Sequence, residues 1–349
     1  MASIETVPVS RGPQEDAQQL MKLGSGFIFT AALYPIAKMK IADLLVDGPL
    51  PVTELARRTG SNADALYRVL RLLASAGVFA ESADGVFALT PMSNSLRADA
   101  PGSLRDMLVW LGNPFHFKVW SEMSYSIATG KPAVEHLYGK PAFEAIYDDP
   151  EIAYDFNTAM SCFSRLIAPA LLDAYDFSGI GTLMDVAGGH GAILCEVLSR
   201  YPQMKGILFD MGNVIEEATC HICEMKLDHR CRTMKGDFFE AIPSGADAYY
   251  MQHIIHDWAD EPALKILANC RRALEGRRDG RLIIVDAVVP KTSEPHFSKM
   301  LDLEMLLMPG GRERTEPQWL ELLGTAGFEI TRIVPMKSSE SVIEAIARD

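Results

Sequence analysis

The chain has 349 residues, 48% of them hydrophobic and 23% charged. That is enough apolar material for ordinary packed cores, and at roughly 150 residues per domain the length suits about two of them, which excludes bulk disorder. With 33 Lys and Arg against 46 Asp and Glu the net charge is −13, a field that repels polyphosphate and argues against nucleic acid as the main partner. Six cysteines are too few for a disulfide scaffold, and the opening MASIETVPVS has neither the basic nor the apolar part of a secretory leader. The chain therefore reads as cytoplasmic with reduced thiols. Its continuous apolar runs fall short of the ~18 residues that span a bilayer, so no membrane contact is expected.

Residues 1–16 are polar and aperiodic and read as a flexible arm. Residues 17–100 follow as a mostly helical domain. Its first segment, Phe27 to Leu45, is apolar on most faces despite Pro35, as in a helix covered by other protein, and it ends at Pro49 and Pro51. Thr53 is placed to cap a short helix ending near Gly60. Ser61 and Asp64 form a capping-box pattern for a second helix, with Leu66, Val69, Leu70 and Leu73 at helical spacing and Gly77 as its stop. In VFAESADGVFALT an Asp84-Gly85 turn separates two short alternating segments, a hairpin signal. Helix, turn, helix and hairpin make a winged-helix unit. Its Arg57, Arg58, Arg68 and Arg71 could meet phosphates in a DNA reader, but the acidity of the rest of the chain favours a packing or dimerisation module.

Residues 101–170 read as successive helices rich in aromatics and methionines, side chains that by default fill gaps between helices. A minority could line a pocket for a flat apolar ligand. From 171 to the end the periodicity changes. The short apolar runs TLMDVA, GILFD, CRTMKGD, AYYMQHI and RLIIVDAVV alternate with helical stretches, which predicts a parallel sheet wrapped by helices. GFEITRIVPM and SVIEAIA are separated only by KSSE, too short for a crossover helix, so the last two strands should be antiparallel neighbours. The expected class is α/β, a Rossmann-like sheet with a terminal antiparallel hairpin, preceded by a mostly helical N-terminal domain containing the winged helix.

The first strand of this sheet ends in Asp185 and runs into AGGHG, where Gly188, Gly189 and Gly191 open a helix. Glycines let a backbone turn sharply and a ligand come close, and a helix N-terminus offers donors. Nineteen residues beyond Gly191 the second strand ends in Asp210, from where a carboxylate can accept both hydroxyls of a ribose. A dinucleotide fingerprint needs a third glycine where Leu194 stands, so an NAD reading fails. A carboxylate such as Asp185 would repel a pyrophosphate and attract a cofactor with a cationic amino acid and a sulfonium centre. S-adenosylmethionine fits that description.

The fourth strand leads into QHIIHDW at the sheet edge where open α/β folds bind ligands. His256 there can take a proton from an acceptor hydroxyl, and Asp286 and Glu313 occupy corresponding loop positions, where a carboxylate would orient the imidazole. Cys220, His221, Cys223, His229 and Cys231 come close to zinc-ligand spacing. Because Cys220 and Cys223 fall on a predicted helix and Cys231 on a strand, the ligands need not converge and no metal is expected.

In order, DVAGGHG, LFDMGNVIEEA, KGDFFEAIP, HDWADE and GGRERT make the chain resemble the S-adenosylmethionine-dependent O-methyltransferases of the caffeic acid O-methyltransferase-like class of plants and bacteria, from about residue 20 to the end. The resemblance implies a homodimer formed through a winged-helix dimerisation domain (17–100), a helical linker and substrate-pocket wall (101–170), and a catalytic domain (171–349) that methylates a hydroxyl of an aromatic small molecule. It implies that Asp185, Gly188 and Gly189 border the methionine end of the cofactor, that Asp210 binds its ribose, that Asp237 and Phe238 flank the adenine, and that Met211 is a further cofactor contact. His256 would be the general base with Asp286 and Glu313 as flanking acids. Trp110, Phe156, Met160, Phe163, Asp257, Leu303 and Met308 stand where members of the class contact the acceptor. Three residues depart from the pattern. Ala187 replaces a loop glycine, Gln252 stands among the cofactor contacts where plant members often carry lysine, and Glu304 occupies a usually apolar position, hinting at a basic or hydrogen-bonding group on the acceptor if it points inward. The alternatives are a relative that uses the same cofactor for hydroxylation or decarboxylation, and a winged-helix regulator.

Overall fold

The computed structural model describes residues 12–82, 85–277 and 279–348. Most of the arm expected over 1–16, and Asp84 of the expected hairpin turn, lie outside the described residues, while Pro13 to Asp16 already form the first turn of a helix. The chain divides into two compact units between Pro114 and Phe115.

The first unit begins with the helices Pro13–Gly24 and Gly26–Lys38. The single helix expected from Phe27 to Leu45 is interrupted, because Lys40 adopts a left-handed φ of 55° and a short helix, Ile41–Leu44, follows it. Ala32, Ile36 and Ala37 are buried, whereas Phe27, Ile28 and Phe29 are exposed. The stretch Pro13–Lys38 is long and apolar enough, by length and composition alone, to cross a membrane. Polar residues interrupt its apolar runs, which is why run lengths gave no sign of it.

Helices Val52–Thr59 and Ala63–Ser75 come next, and Gly60, at φ 68°, ends the first of them as expected. The caps differ from expectation by one or two positions. Thr53 lies inside its helix behind Pro51, and the second helix is capped by Asn62 rather than Ser61, its Oδ1 accepting from the Ala65 N–H at 3.0 Å. Ser and Asn cap almost equally well, so neighbouring candidates are not separable by propensity. Leu66, Leu70 and Leu73 of the expected stripe are buried. Strands β1 (Leu50–Pro51), β2 (Phe79–Ser82) and β3 (Val86–Leu89) form an antiparallel sheet in the order β1-β3-β2.

In the second unit, seven strands form one sheet: β4 (Thr182–Val186), β5 (Lys205–Asp210), β6 (Cys231–Lys235), β7 (Ala248–Gln252), β8 (Arg281–Ala287), β9 (Phe328–Pro335) and β10 (Glu340–Ala347). Their order is β6-β5-β4-β7-β8-β10-β9, parallel except for β10, which runs antiparallel to β8 and β9. Side chains alternate between faces along a strand. Leu183, Leu208, Tyr250 and Ile283 face one core, with helices Pro150–Ala174, Ala192–Arg200 and Gly212–Glu224. Met184, Ile207, Tyr249 and Leu282 face the other, with Asp260–Ala273 and Glu316–Thr325. With both faces covered the strands read as near-continuous apolar runs. Asp185, Asp210, Gln252 and Asp286 interrupt these runs at or near the C-terminal ends of β4, β5, β7 and β8, and they mark the site.

Candidate active site

Asp185 is buried, and burial together with the charge of Asp210 pushes its carboxyl up to about 8. Space here is tight. A Cβ on Gly188 would lie 2.4 Å from the Asp185 carboxyl carbon and 2.6 Å from Leu208 Cδ1. Asp210 is held by its backbone neighbours, its Oδ2 accepting from Gly189 N–H at 2.8 Å and its Oδ1 from Met211 N–H at 2.6 Å. Each oxygen keeps a lone pair for a hydroxyl. Two buried carboxyl groups beside a glycine turn fit a cofactor that brings a positive centre and a ribose. Asp237 is exposed and accepts from the Phe239 N–H at 2.7 Å, and Phe238 packs edge-on to Trp258 at 6.1 Å. Gln252 Oε1 accepts from the Tyr250 hydroxyl at 2.6 Å.

Ala187 sits in this loop at φ 58°, a left-handed conformation that opposes any Cβ, while its N–H donates to the Phe209 carbonyl at 2.7 Å. Here the missing glycine costs backbone strain. Ala187→Gly is expected to raise stability by about 1 kcal/mol without lowering activity; an unchanged or lower Tm would show that the loop carries no such strain.

His256 lies on the 3-10 turn Ile255–Asp257 that follows β7 and is buried. Its Nδ1 is 2.6 Å from Glu313 Oε1 and 3.9 Å from Asp286 Oδ1, and its Nε2 is 3.5 Å from Asp257 Oδ1. Burial works to lower the pKa of this imidazole, but Glu313, Asp286 and Asp257 outweigh it and carry it to about 10. Burial raises Asp257 to about 7 and Asp286 to about 6, against the pull of His256. Both Asp286 oxygens and Glu313 Oε2 are buried with no hydrogen-bond partner among the described residues.

These groups tie stability to pH. Asp185, Asp257, Asp286 and His256 all hold protons more tightly in the folded chain than their ordinary values allow, so between about pH 4 and 10 the folded state binds more protons than the unfolded one and stability falls as pH rises. The part owed to His256 is fully present below its ordinary pKa of ~6.5 and is lost as pH rises through about 10. Glu340 and Glu304 shift downward, and their windows lie at acid pH, outside this range. The Tm without ligand is expected to be lower at pH 9 than at pH 6; equal values would remove this account of the cluster.

Aromatic contacts run from the base to the expected acceptor wall. His253 stacks against His256 (5.1 Å between centroids) and against Phe163 (5.0 Å), and Phe163 meets Phe297 at 6.4 Å. A second series runs from Phe156 through Phe143 to Trp258, each step 6.3 Å. Met160 is half-buried on the same helix as Phe156 and Phe163, Leu303 is exposed and Met308 is buried. Trp110 is a buried residue of the first unit. Glu304 is paired within the chain. Its carboxylate accepts from Trp120 Nε1 at 2.7 Å and lies 2.9 Å from His116 Nε2, so it joins helix Ser298–Leu307 to helix Pro114–Ser121.

Three contributors went unnoticed in the sequence. Arg314, 1% exposed, donates to the carbonyls of Ile255 and Trp258 and to Asp260 Oδ1, clamping the turn that carries His256. Gly311 lets the GGRERT loop lie on that turn, with the Arg312 N–H donating to the His256 carbonyl at 2.8 Å. Trp258 has its Nε1 buried with no partner among the described residues. Only the double histidine in QHIIH and the arginine after Glu313 hinted at any of this. Cys220 and Cys223 are exposed while Cys231 is buried, and among the described residues no group of three or more His, Cys, Asp or Glu could hold a metal ion. An open cavity of about 650 Å³ lined by Val288, Leu320, Ile330 and Glu340 contains none of the expected site residues.

Residues 120–329 match the O-methyltransferase domain and residues 21–99 the O-methyltransferase dimerisation domain. The chain is 38% identical to phenazine O-methyltransferase PhzM of Lysobacter antibioticus over 93% of its own length and 95% of the relative's. It is 33% identical to the 8-amino-8-demethylriboflavin N,N-dimethyltransferase of Streptomyces davaonensis over 97% of both chains. Among solved structures it is similar to the O-methyltransferase NcsB1 from neocarzinostatin biosynthesis in complex with S-adenosylmethionine and 2-hydroxy-5-methyl naphthoic acid, at 30% identity and a TM-score of 0.76, covering 91% of this chain and 95% of that one. The chain belongs to the O-methyltransferase family, as an S-adenosylmethionine-dependent enzyme whose matched dimerisation domain supports a homodimer.

Proposed function

We propose that this enzyme moves a methyl group to a hydroxyl of a flat aromatic small molecule, with His256 taking the hydroxyl proton. When bound, S-adenosylmethionine supplies the electrophilic methyl carbon and the sulfur leaving group. The observation that carries the reading is the bond from Glu313 to His256 Nδ1 at 2.6 Å. It fixes the tautomer and leaves Nε2 as the nitrogen that meets the acceptor.

The carboxylates around the ring give it the strength the reaction asks for. A phenol ionises near 10, and an imidazole carried to about 10, once it has given up its own proton, receives that of the phenol at little cost. At the ordinary ~6.5 the same transfer would be uphill by about 5 kcal/mol. Asp185 and Asp210 are assigned to the cofactor, with Gly188, Gly189, Met211, Asp237, Phe238 and Gln252 around it, and Asp286 joins Glu313 in orienting the base. Phe156, Met160, Phe163, Asp257, Leu303, Met308 and Trp110 are assigned to the acceptor. The aromatic acceptors named for the relatives, and the aromatic series from His256 to Phe163 and from Phe156 to Trp258, support this choice. The exposed apolar residues Phe27, Ile28 and Phe29, within the matched dimerisation segment, are assigned to the interface of the homodimer, and the enzyme to the cytoplasm.

The test is incubation with methyl-labelled cofactor and a panel of phenols, hydroxyquinones, hydroxyphenazines and their amino analogues, read by mass spectrometry. One labelled methyl on the oxygen of a panel member is expected. Label carried only by nitrogen would overturn the hydroxyl assignment, and no labelled product from enzyme that binds the cofactor would overturn the acceptor class.

A further inference from the structure

We propose that His253, paired with Glu340, is a positioning residue for His256, fixing the plane of that imidazole and placing beside it a positive charge that frees it of its proton at a lower pH. The proposal rests on the reading of His256 as the base. His253 follows β7 at φ 54°, one of four non-glycine residues among the described residues in the left-handed region. Its backbone is held there by an N–H bond to the Val285 carbonyl at 3.1 Å, one residue before Asp286. Strain of this kind persists only where the surroundings over-determine it, and it gathers at working sites.

The ring of His253 is nearly parallel to both of its neighbours, 17° from Phe163 and 26° from His256. Glu313 holds one atom of the His256 ring, and a stacked partner resists rotation about the axis that this single bond leaves free. Any flat side chain could do that much. The edge of His253 calls for an imidazole, because its Nε2 lies 3.6 Å from Oε1 of buried Glu340, which also accepts from the Ser339 hydroxyl at 2.8 Å. Burial works to raise Glu340, yet His253 and the adjoining serine hydroxyls bring it down to about 2. Its ionised carboxylate is therefore a counter-charge for a protonated His253.

The groups facing His253 are Glu340 from β10, His256 and Asp257 from the 3-10 turn, and Asp286 from β8; Phe163 is uncharged. Three carboxylates favour the proton on His256, and a cation stacked about 5 Å away opposes them, since like charges at that range repel strongly in a site of low polarisability. His253 thus opposes part of the pull of that cluster, so that His256 gives up its proton at a lower pH than the three carboxylates alone would allow.

The experiment is a pH titration of 15N-histidine-labelled enzyme bound to S-adenosylhomocysteine, following His253 and His256 in the parent, in His253→Phe and in His253→Ala. In the parent the His256 curve is expected to carry a second step imposed by its stacked neighbour. His253→Phe keeps the stack and removes the charge, so the His256 midpoint should rise by about one pH unit. The acid limb of kcat/KM for the fastest panel acceptor should move with it. His253→Ala should also lower the rate on the plateau by about tenfold, because the ring plane is no longer held. A single-step His256 curve in the parent, an unmoved His256 midpoint in His253→Phe, or the same pH-independent loss in both variants would overturn the proposal. Because the titration needs no turnover, failure of the whole acceptor panel would count against the proposed reaction and not against this pairing.

Discussion

Replacing His256 by alanine is expected to lower methyl transfer by about 10²–10⁴-fold, the usual worth of a positioned general base, while the affinity for S-adenosylhomocysteine stays within about twofold. The separation follows from the architecture. Asp185 and Asp210 stand at the ends of β4 and β5, whereas His256 belongs to the turn after β7 and bonds to Glu313. Losing the imidazole leaves the first pair untouched. It also leaves Asp286 without its cation, which destabilises the apo enzyme most at high pH, where that carboxyl group ionises. Isothermal titration with S-adenosylhomocysteine and single-turnover assays with a panel acceptor separate the two effects. Turnover equal to the parent's would remove His256 from the chemistry.

Gly311→Ala is expected to inactivate the enzyme without touching a charged group. A Cβ at 311 would lie 2.0 Å from the His256 carbonyl oxygen, 2.4 Å from the Asp257 carbonyl carbon and 2.6 Å from the Trp258 nitrogen. All three are backbone atoms, which cannot swing aside as a side chain can. The loop must lift, and two sets of contacts go with it: the Glu313 bond to His256, and the Arg314 bonds to the carbonyls of Ile255 and Trp258. Activity should fall by at least about 10²-fold, as when a base loses its orientation, and stability by about 1–3 kcal/mol, the range for overpacking. Gly324, with nothing within 4 Å of an added Cβ, is the control, and Gly324→Ala should behave like the parent. Full activity in Gly311→Ala would mean that the loop does not need to rest on the His256 turn.

The glycine effect and the base effect were unequally visible beforehand. His256 stands in a motif at the end of a readable strand, and its carboxylate partners stand at the ends of other readable elements, so their meeting at one sheet edge follows from strand order. Gly311 is one of 26 glycines, and nothing local distinguishes it. Its importance arises from a backbone 55 positions earlier in the chain. Arg314 and His253 are similar cases, since each works through residues remote in sequence. Glu304 gives the opposite lesson. As a charge at an apolar position it pointed to the acceptor, but its partners are His116 and Trp120, more than 180 positions away.

Local chemistry alone dictated the alternation of strands and helices after residue 171, the antiparallel close of the sheet, the glycine turn after Asp185 and the acidic ends of the strands. Each is written in a span of about ten residues, as periodicity, chain length or freedom at φ. The break at Lys40, the caps at Pro51 and Asn62, the approach of Asp257 to the His256 ring, and the seating of the GGRERT loop on the His256 turn were decided by the folded chain. They depend on which backbone and side-chain atoms come within a few ångströms across tens to hundreds of residues, where sterics and unscreened charge act in three dimensions and no spacing along the sequence records them.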